Sequence, residues 1–358
     1  MNTRIVLAHL LFLGGLAHAQ TVSTNPVGFI PVTAKGNSDT YLSMPLHRDA
    51  VYQGQLASVS GDTLTVSNAT FTNGQFNGTH YVLIASGAKE GMWYAVSGTG
   101  TANVTIDPAG DTLGTAVTTG TSVRIIPFWT LDTLFPDGAG LNPSPNLLPQ
   151  TSILIPDHAR AGINLAPSQS FFYYSGTQFG GEGWRRFGND PNTKFDSYTL
   201  LPDSFFVVRH HAAGDTTINL PGTVQMTSLA TVIGTLTSGK AQDNAIAFNV
   251  AVPTSLGASG LYESGAFTGS STIDVPADQL LVFDNATAQF NKAPSAIYYY
   301  FTGSTNGGPG WRLKGNLSTV QNSTLVFEPA AGYIIRKASA VTPGTSVWTV
   351  RPAYVTTP

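Results

Sequence analysis

Hydrophobic and polar residues alternate over short stretches along most of this chain, and helical periodicity is nearly absent. Residues 55–66 show two alternating runs separated by Gly61-Asp62, and a Gly-Asp pair in a two-residue turn is typical of a β-hairpin. Residues 205–209 and 333–336 are short, mainly apolar runs, which indicates buried strands. The pattern predicts an all-β protein made of sandwich-like or barrel-like units.

The same pattern occurs twice. Asp157–Ala212 aligns without a gap to Asp284–Ser339, a shift of 127 (284 − 157), and about a third of the aligned positions are identical. Both copies contain an aromatic strand, a glycine-rich loop and the tripeptide Gly-Trp-Arg. We therefore predict tandem units with an internal duplication. Residues shared by both copies are expected to build the fold, whereas residues found in one copy are better candidates for a site.

The first residues have the features of a signal peptide. Arg4 precedes the apolar stretch Ile5–Leu16, and Ala17-His18-Ala19 forms a cleavage sequence before Gln20. No later segment is apolar and long enough for a transmembrane helix. We predict an exported protein located in the periplasm, at the cell surface or outside the cell. The predicted organisation is a signal peptide over 1–19, an N-terminal β domain over 20–126, and β repeat units over 127–225 and 226–358.

Composition narrows the possible functions. The chain has no cysteine, which excludes thiol catalysis and zinc–thiolate sites, and 10% of its residues are charged, with a net charge of −3. Without a basic stripe, a nucleic-acid partner is not expected. Signatures of serine hydrolases, phosphate-binding loops and dinucleotide binding are missing, so no cofactor is predicted.

Several segments resemble one family of proteins. These are Thr24-Asn-Pro-Val-Gly-Phe-Ile30, Ser38-Asp-Thr-Tyr-Leu-Ser-Met-Pro-Leu-His-Arg48, the hairpin that begins at Gly54, and Trp129-Thr-Leu-Asp-Thr-Leu-Phe-Pro136. Together they resemble an uncharacterised family of exported proteins from Verrucomicrobia-type bacteria, over essentially the whole chain after the signal peptide. The resemblance implies export and a Gram-negative-type envelope. It implies no activity, ligand or catalytic residue.

The duplicated loops supply candidate ligand-binding residues, because exposed aromatic side chains beside polar groups can stack on sugar rings. The candidates are Trp184, Arg185, Tyr173, Trp311, Arg312 and Tyr300. The alternative is that each tryptophan packs beneath its loop, with its N–H bonded to a loop carbonyl. Conservation of Gly-Trp-Arg between the two copies favours this packing role.

Other polar clusters give weaker signals. Asp157, Glu182, Asp190, Asp196 and Asp203 lie in the first copy, and two of them could act as the acid and base of a glycosidase, although turn capping is commoner. The histidines, including the adjacent His210 and His211, have no metal-binding spacing, and we expect them at the surface. No metal site is predicted.

The sequence therefore favours an exported, non-enzymatic envelope or extracellular protein. Its role would be structural, adhesive or ligand-binding through the duplicated Gly-Trp-Arg loops, with polysaccharide or other envelope components as partners. One alternative is a polysaccharide-active hydrolase that uses carboxylates of the first copy. Another is a surface protein that self-assembles through exposed strand edges.

Overall fold

The computed structural model describes residues 26–355, so the predicted signal peptide over 1–19 lies outside the described residues. The described chain is almost entirely strands, turns and loops, which confirms the all-β prediction. In chain order the elements are β1 (Val27–Ala34), β2 (Ser38–Leu42), β3 (Leu46–His47), β4 (Tyr52–Ser60), β5 (Thr63–Val66), β6 (His80–Ile84), β7 (Trp93–Thr99), β8 (Asn103–Asp107), β9 (Ser122–Pro127), β10 (Trp129–Thr130), α1 (Leu131–Leu134), a 3₁₀ turn (Pro136–Gly138), β11 (Thr151–Ile155), β12 (Gln169–Tyr174), β13 (Gly183–Arg186), β14 (Thr199–Leu200), β15 (Phe206–His210), β16 (Thr216–Val224), β17 (Leu229–Thr235), β18 (Gln242–Ala247), β19 (Thr254–Ser255), β20 (Gln279–Val282), β21 (Ala296–Phe301), β22 (Gly310–Leu313), β23 (Leu325–Phe327), β24 (Gly332–Lys337) and β25 (Gly344–Val350).

Six strands form a closed barrel in the order β4-β5-β8-β7-β6-β9. The predicted hairpin is present: Ser60 pairs with Thr63 across the Gly61-Asp62 turn, and Gly61 has the positive φ of 57° that this turn requires. Alternate residues of β5 and β8, such as Leu64 and Val104, are fully buried inside the barrel. The alternation of apolar and polar residues in the sequence therefore corresponds to side chains that point alternately into the barrel and outwards.

The first copy of the repeat is a β-sandwich. One sheet has the order β13-β12-β11-β15-β2, and a three-stranded sheet has the order β1-β16-β3. Between them lies one hydrophobic core, to which Ile153, Phe171 and Val208 contribute from the larger sheet and Ile218 and Leu220 from the smaller one. Two short strands, β10 and β14, pair beside it.

The second copy repeats this arrangement. Its five-stranded sheet has the order β18-β24-β20-β21-β22, and β17-β25 and β19-β23 form the pairs that accompany it. Its core contains Leu280, Trp311, Phe327, Tyr333 and Ile335. The duplication predicted from the sequence is thus a duplication of whole sandwiches, each with its own core.

Strand pairing shows where the barrel segment is inserted in the chain. Asp39 of β2 pairs with Arg209, and Asp243 of β18 pairs with Arg336. The two partners are 170 positions apart in the first copy but only 93 positions apart in the second. The first copy therefore has an additional segment between its aspartate and its arginine, and the barrel, which lies between β3 and β10, has about this length. The barrel is an insertion into the first sandwich.

The predicted N-terminal domain over 20–126 consequently divides between two bodies. Strands β1, β2 and β3 complete the sheets of the first sandwich, whereas residues 52–127 close the barrel. The reason is hydrogen bonding: β2 and β15 run beside each other in the sheet although Asp39 and Arg209 are 170 positions apart in the chain. Sequence order alone does not show such a pairing.

Candidate functional site

The two tryptophans of the duplicated loops lie in the sandwich cores. Trp184 and Trp311 are both 0% exposed. Trp184 packs edge-on against Tyr173, with ring centroids 5.8 Å apart, and Trp311 packs in the same way against Tyr300 at 5.7 Å. Neither indole N–H has a hydrogen-bond partner among the described atoms, so the predicted bond to a loop carbonyl is not formed. This burial agrees with a packing role for both tryptophans.

The arginines of the same motif hold the loops in place. Arg185 donates from Nη2 to the carbonyl oxygens of Phe179 (3.0 Å) and Gly181 (2.6 Å). Arg312 donates in the same way to Asn306 (3.0 Å) and Gly308 (2.6 Å). Both guanidinium groups are buried beneath the glycine-rich loop, where each turn contains residues with positive φ. Each arginine therefore organises the backbone around itself, and this accounts for its presence in both copies.

The tyrosines of the candidate set are also enclosed. Tyr173 is buried, its hydroxyl donates to Asp137 at 3.4 Å, and burial raises its pKa to about 12. Tyr300 is half-buried and stacks on Tyr262 with a centroid distance of 3.5 Å. The six candidate side chains of the two loops thus face protein atoms, and they do not form an open platform for a sugar ring.

Most carboxylates of the first copy stabilise local structure. Asp157 accepts hydrogen bonds from the backbone N–H groups of Ala159 and Arg160, and Asp190 accepts from Asn192 N. Asp196 accepts from Trp184 N at 2.7 Å, a contact that Asn322 supplies to Trp311 in the second copy at 2.9 Å. These are the roles of turn-capping acids.

Asp203 differs from these acids. Burial raises its pKa, and the Trp93 side chain of the barrel acts in the opposite direction. It also lines a small cavity of about 60 Å³ where the barrel meets both sandwiches. Asp203 therefore lies at the junction between the barrel and the two sandwiches.

Histidine positions divide between surface and core. His211 lies at an exposed position, as expected, but the expectation is wrong for His47 and His210, which are both buried. The ring of His210 bridges Thr151 Oγ1 and the carbonyl oxygen of Gly214, both at 2.8 Å. Among residues 26–355, no group of three His, Cys, Asp or Glu side chains is arranged to hold a metal ion.

The feature that the sequence did not predict is the contact between the two sandwiches. Arg209 binds Asp39 through two bonds of 2.7 Å and also donates to Asn291 Oδ1 of the other copy at 2.6 Å. The N–H of Asn291 donates to Asp39 at 2.7 Å. These three residues form a triad around a buried aspartate, and the triad joins an ion pair of one sandwich to a loop of the other.

The second sandwich forms the same triad in return. Arg336 binds Asp243 with distances of 2.7 and 3.0 Å and donates to Asn164 Oδ1 at 2.7 Å, while Asn164 N donates to Asp243 at 2.8 Å. Asn164 and Asn291 are equivalent in the alignment of the copies, and both have positive φ, 52° and 49°. The contacts are reciprocal, as in the isologous interface of a two-fold dimer.

Backbone hydrogen bonds add to the contacts that each loop makes with the other copy. The N–H of Asp39 donates to the carbonyl oxygen of Gln289, and the N–H of Asp243 donates to that of Gly162, at 2.9 and 3.0 Å. Strands β2 and β18 are the edges of their five-stranded sheets, and each edge is covered by the loop of the other copy. This arrangement protects both edges from further strand pairing.

Between the loops the outer faces of the two large sheets enclose a cleft of about 450 Å³. Its apolar walls come from both copies, because residues that alternate with the core residues point outwards on each strand. The wall residues are Tyr41, Leu154, Phe205, Val207, Ala245, Leu281, Phe283 and Ile334. The apolar centre is framed by charged groups, which are Asp39, Asp157, Arg209, Asp243 and Lys292.

The electrostatics of the cleft follow from burial and from the triads. Burial raises the pKa of Tyr41 to about 12, with a further contribution from the Asp39 carboxylate. The hydrogen bonds to Asp39 raise the pKa of Arg209. Burial lowers the pKa of Lys292, with the nearby Asp284 and Asp39 acting in the opposite direction. The cleft therefore combines a low-polarity centre with charges that are already fixed in position.

Signals for this cleft were present in the sequence. Asn164 and Arg209 are identical to Asn291 and Arg336 in the alignment of the copies, although loop and strand-end residues are free to vary. The segment that begins at Asp39 also resembles the segment that begins at Asp243, and strand pairing gives the two aspartates equivalent arginine partners. An asparagine kept at a positive-φ position and an arginine kept at a strand end indicate a shared contact, but they do not reveal that the partner is the other copy.

Comparisons with known proteins return no match: no family model, no curated protein and no solved structure is significantly similar to this chain. The resemblance to exported Verrucomicrobia-type proteins therefore stays a prediction. Among the described residues, no helix has the length and apolar character needed to cross a membrane.

Proposed function

We propose that this protein is an exported, non-enzymatic binding protein that holds its ligand in the cleft between the two sandwiches. The observation that carries the proposal is the cleft itself, about 450 Å³ with apolar walls and a few fixed polar groups. Ligand sites in proteins typically have volumes of about 300–1,000 Å³ and this mixture of surfaces. This proposed site differs from the one predicted from the sequence, the Gly-Trp-Arg loops, whose side chains pack within the protein.

Rigidity supports the proposal. The cleft is framed by two loops that are each anchored to the opposite sandwich by side-chain and backbone hydrogen bonds. A ligand that enters a preformed cleft does not need to order these loops, so less binding free energy is lost to conformational entropy. The duplication thus supplies both walls of one site.

The hydrolase alternative has weaker support. Four of the five acids considered, Asp157, Asp190, Asp196 and Asp203, have structural partners in turns or at the barrel junction. A retaining or inverting glycosidase needs two carboxyl groups that face one substrate across an open site. These four acids cap turns or pack at the junction with the barrel, and these structural roles favour the non-enzymatic function.

A substitution that fills the cleft tests this proposal. Ala245 is half-buried on its wall, and Ala245→Trp would occupy much of the space. We expect the chain from residue 20 to enhance the fluorescence of N-phenyl-1-naphthylamine, a neutral apolar probe, and Ala245→Trp to abolish this enhancement. Val347→Trp on the exposed face of β25 is the matched control, expected to bind like the unchanged protein. Equal binding by all three proteins would refute a site in the cleft.

Export is the second part of the proposal, and it rests on the sequence of residues 1–19. Expression of the full chain with a C-terminal tag in a Gram-negative host tests it. We expect the tagged protein outside the cytoplasm with Gln20 as its first residue, and a deletion of Ile5–Leu16 to retain it in the cytoplasm. Cytoplasmic accumulation of the full, uncleaved chain would contradict export.

A further inference from the structure

The two halves of the cleft carry different residues at equivalent positions. Tyr41 corresponds to Ala245, and Phe283 corresponds to Pro156. We call the side with Tyr41, Phe205 and Phe283 the aromatic half, and the side with Pro156, Leu165 and Ala245 the open half. In the aromatic half the rings of Tyr41 and Phe283 are stacked, with centroids 3.9 Å apart and an interplanar angle of 5°.

Phe205 adds a third ring to this wall, 5.4 Å from the centroid of Tyr41. Its counterpart is Gly332, where an added Cβ would lie 2.5 Å from Phe205 Cβ. The glycine therefore lets the phenylalanine of one copy sit against the backbone of the other. The cleft therefore has an aromatic wall on one side only, although its framework is duplicated.

A charged group lies in the same half. Lys292 is 7% exposed and corresponds to Leu165 in the open half. Its Nζ donates to the carbonyl oxygen of Asp284 at 2.6 Å, which is the one hydrogen bond of this ammonium group within the described chain. A lysine ammonium can donate three.

The neighbouring carboxylates are already engaged. Asp39 is held by Arg209 and by the backbone of Asn291, and Asp284 accepts from Ala286 N and the Thr287 hydroxyl. The Lys292 ammonium group therefore keeps hydrogen-bond donors for a ligand, while the nearby Asp284 and Asp39 carboxylates partly offset its charge. Burial strengthens its interaction with an anion, because the surroundings have a lower dielectric constant than water.

We propose that the ligand is a planar ring compound that bears a carboxylate, with the ring against the Tyr41–Phe283–Phe205 wall and the carboxylate on Lys292. This inference rests on the proposed function and adds the chemical class of the ligand. Stacking supplies the ring preference, and a charge-assisted hydrogen bond supplies the preference for an anion.

Three probes separate the two preferences, measured by isothermal titration calorimetry with the chain from residue 20. They are 1-naphthoate (ring and carboxylate), 1-naphthalenemethanol (ring alone) and decanoate (carboxylate on a chain). We expect 1-naphthoate to bind at least about tenfold more tightly than 1-naphthalenemethanol, since a hydrogen bond to a charged group is typically worth this factor or more. Decanoate has no ring to stack on the aromatic wall, and we expect it to bind more weakly than 1-naphthoate.

Variants copied from the open half locate the two contacts. Lys292→Leu introduces the residue of its counterpart Leu165, and we expect it to lose about tenfold in affinity for 1-naphthoate while 1-naphthalenemethanol is unaffected. Tyr41→Ala introduces the residue of Ala245, and we expect it to weaken both naphthalene probes but not decanoate. Lys292→Arg, which keeps the charge, is expected to retain binding of 1-naphthoate. Thermal unfolding of each variant verifies that it is folded.

The outcomes distinguish the two proposals. If decanoate binds as tightly as 1-naphthoate, or if folded Lys292→Leu binds 1-naphthoate normally, the ring-carboxylate ligand is wrong while the cleft remains a site. If N-phenyl-1-naphthylamine binds and 1-naphthoate does not, the conclusion is the same. If no probe binds, both proposals fall. Should Lys292→Leu fail to fold, the comparison of the three probes on the unchanged protein decides.

Discussion

The Gly-Trp-Arg loops and the inter-sandwich cleft are both products of the same duplication, but the copies agree in one and differ in the other. In the loops, Trp184 and Trp311 occupy equivalent core positions, and each neighbouring arginine binds the equivalent carbonyl oxygens. In the cleft, Tyr41 of one copy corresponds to Ala245 of the other, and Lys292 corresponds to Leu165. Agreement between copies therefore marks residues that build the fold or join the two copies, and the side chains that differ across the cleft mark the candidate site.

The largest effect should come from the shared tryptophans. We expect Trp184→Ala and Trp311→Ala each to lower the free energy of unfolding by about 3–5 kcal/mol, because each leaves a cavity in a packed core. Urea unfolding measures the loss. Tyr300→Ala, at a half-buried position beside Trp311, is the control and should cost clearly less. Ligand binding lost at unchanged stability in either tryptophan variant would show that the loops are sites after all.

The shared arginines provide the next test. Arg185→Met removes the donors for three loop carbonyl oxygens, those of Phe179, Gly181 and Pro191, and we expect a loss of about 2–3 kcal/mol in the free energy of unfolding. Arg185→Lys should recover little of it, since an ammonium group cannot reproduce the fork of a guanidinium. Chemical denaturation of Arg185→Met and Arg312→Met compares the copies. Losses in both copies would support one structural role, with the larger loss for Arg185, because its Nε also donates to a carbonyl oxygen whereas Arg312 Nε has no partner among the described atoms. A strong loss in one copy alone would break the equivalence.

The reciprocal triads join the copies, so disrupting one should weaken the cleft. Asp39→Asn removes one charge of an ion pair whose aspartate side chain is 3% exposed, and we expect a loss of about 2 kcal/mol. Asp243→Asn should have a similar effect on the other side. Equilibrium unfolding gives the magnitudes. The exposed pair Lys35–Asp215 is the control, and Asp215→Asn should change stability little.

A smaller effect concerns pH. His47 of β3 belongs to the first sandwich and has no histidine counterpart in the second. It is buried, and burial lowers its pKa. Its Nδ1–H donates to Arg48 O at 2.7 Å. As pH falls below about 6.5, the unfolded chain binds a proton that the folded His47 resists, so stability decreases with falling pH. His47→Asn keeps a donor near Nδ1 and does not titrate.

The measurement for this prediction is the melting temperature between pH 7.5 and 5. We expect a shallower decline for His47→Asn than for the unchanged protein. The decline should not vanish, because burial of the half-buried His80 also lowers its pKa, to about 4. Identical pH profiles for the two proteins would show that His47 does not resist protonation in the fold.

Much of the fold followed from short-range patterns. Alternation predicted β-strands because successive side chains point to opposite faces, and the Gly61-Asp62 turn was located because glycine alone accepts its positive φ without strain. Self-similarity between Asp157–Ala212 and Asp284–Ser339 predicted the second sandwich. Conservation of Gly-Trp-Arg between the copies favoured packing, and the buried positions of both tryptophans agree with it.

The sequence by itself thus determined the class of structure, the existence of two related units and the residues that stabilise their loops, because these depend on neighbours along the chain. Tertiary structure alone decided three other features: the insertion of the barrel between β3 and β10, the exchange of loops around Asn164 and Asn291, and the cleft that Tyr41 and Lys292 line. Each depends on segments that are distant in the chain and meet across a sheet edge or a sheet face. Local periodicity carries no information about which distant segment will be the partner.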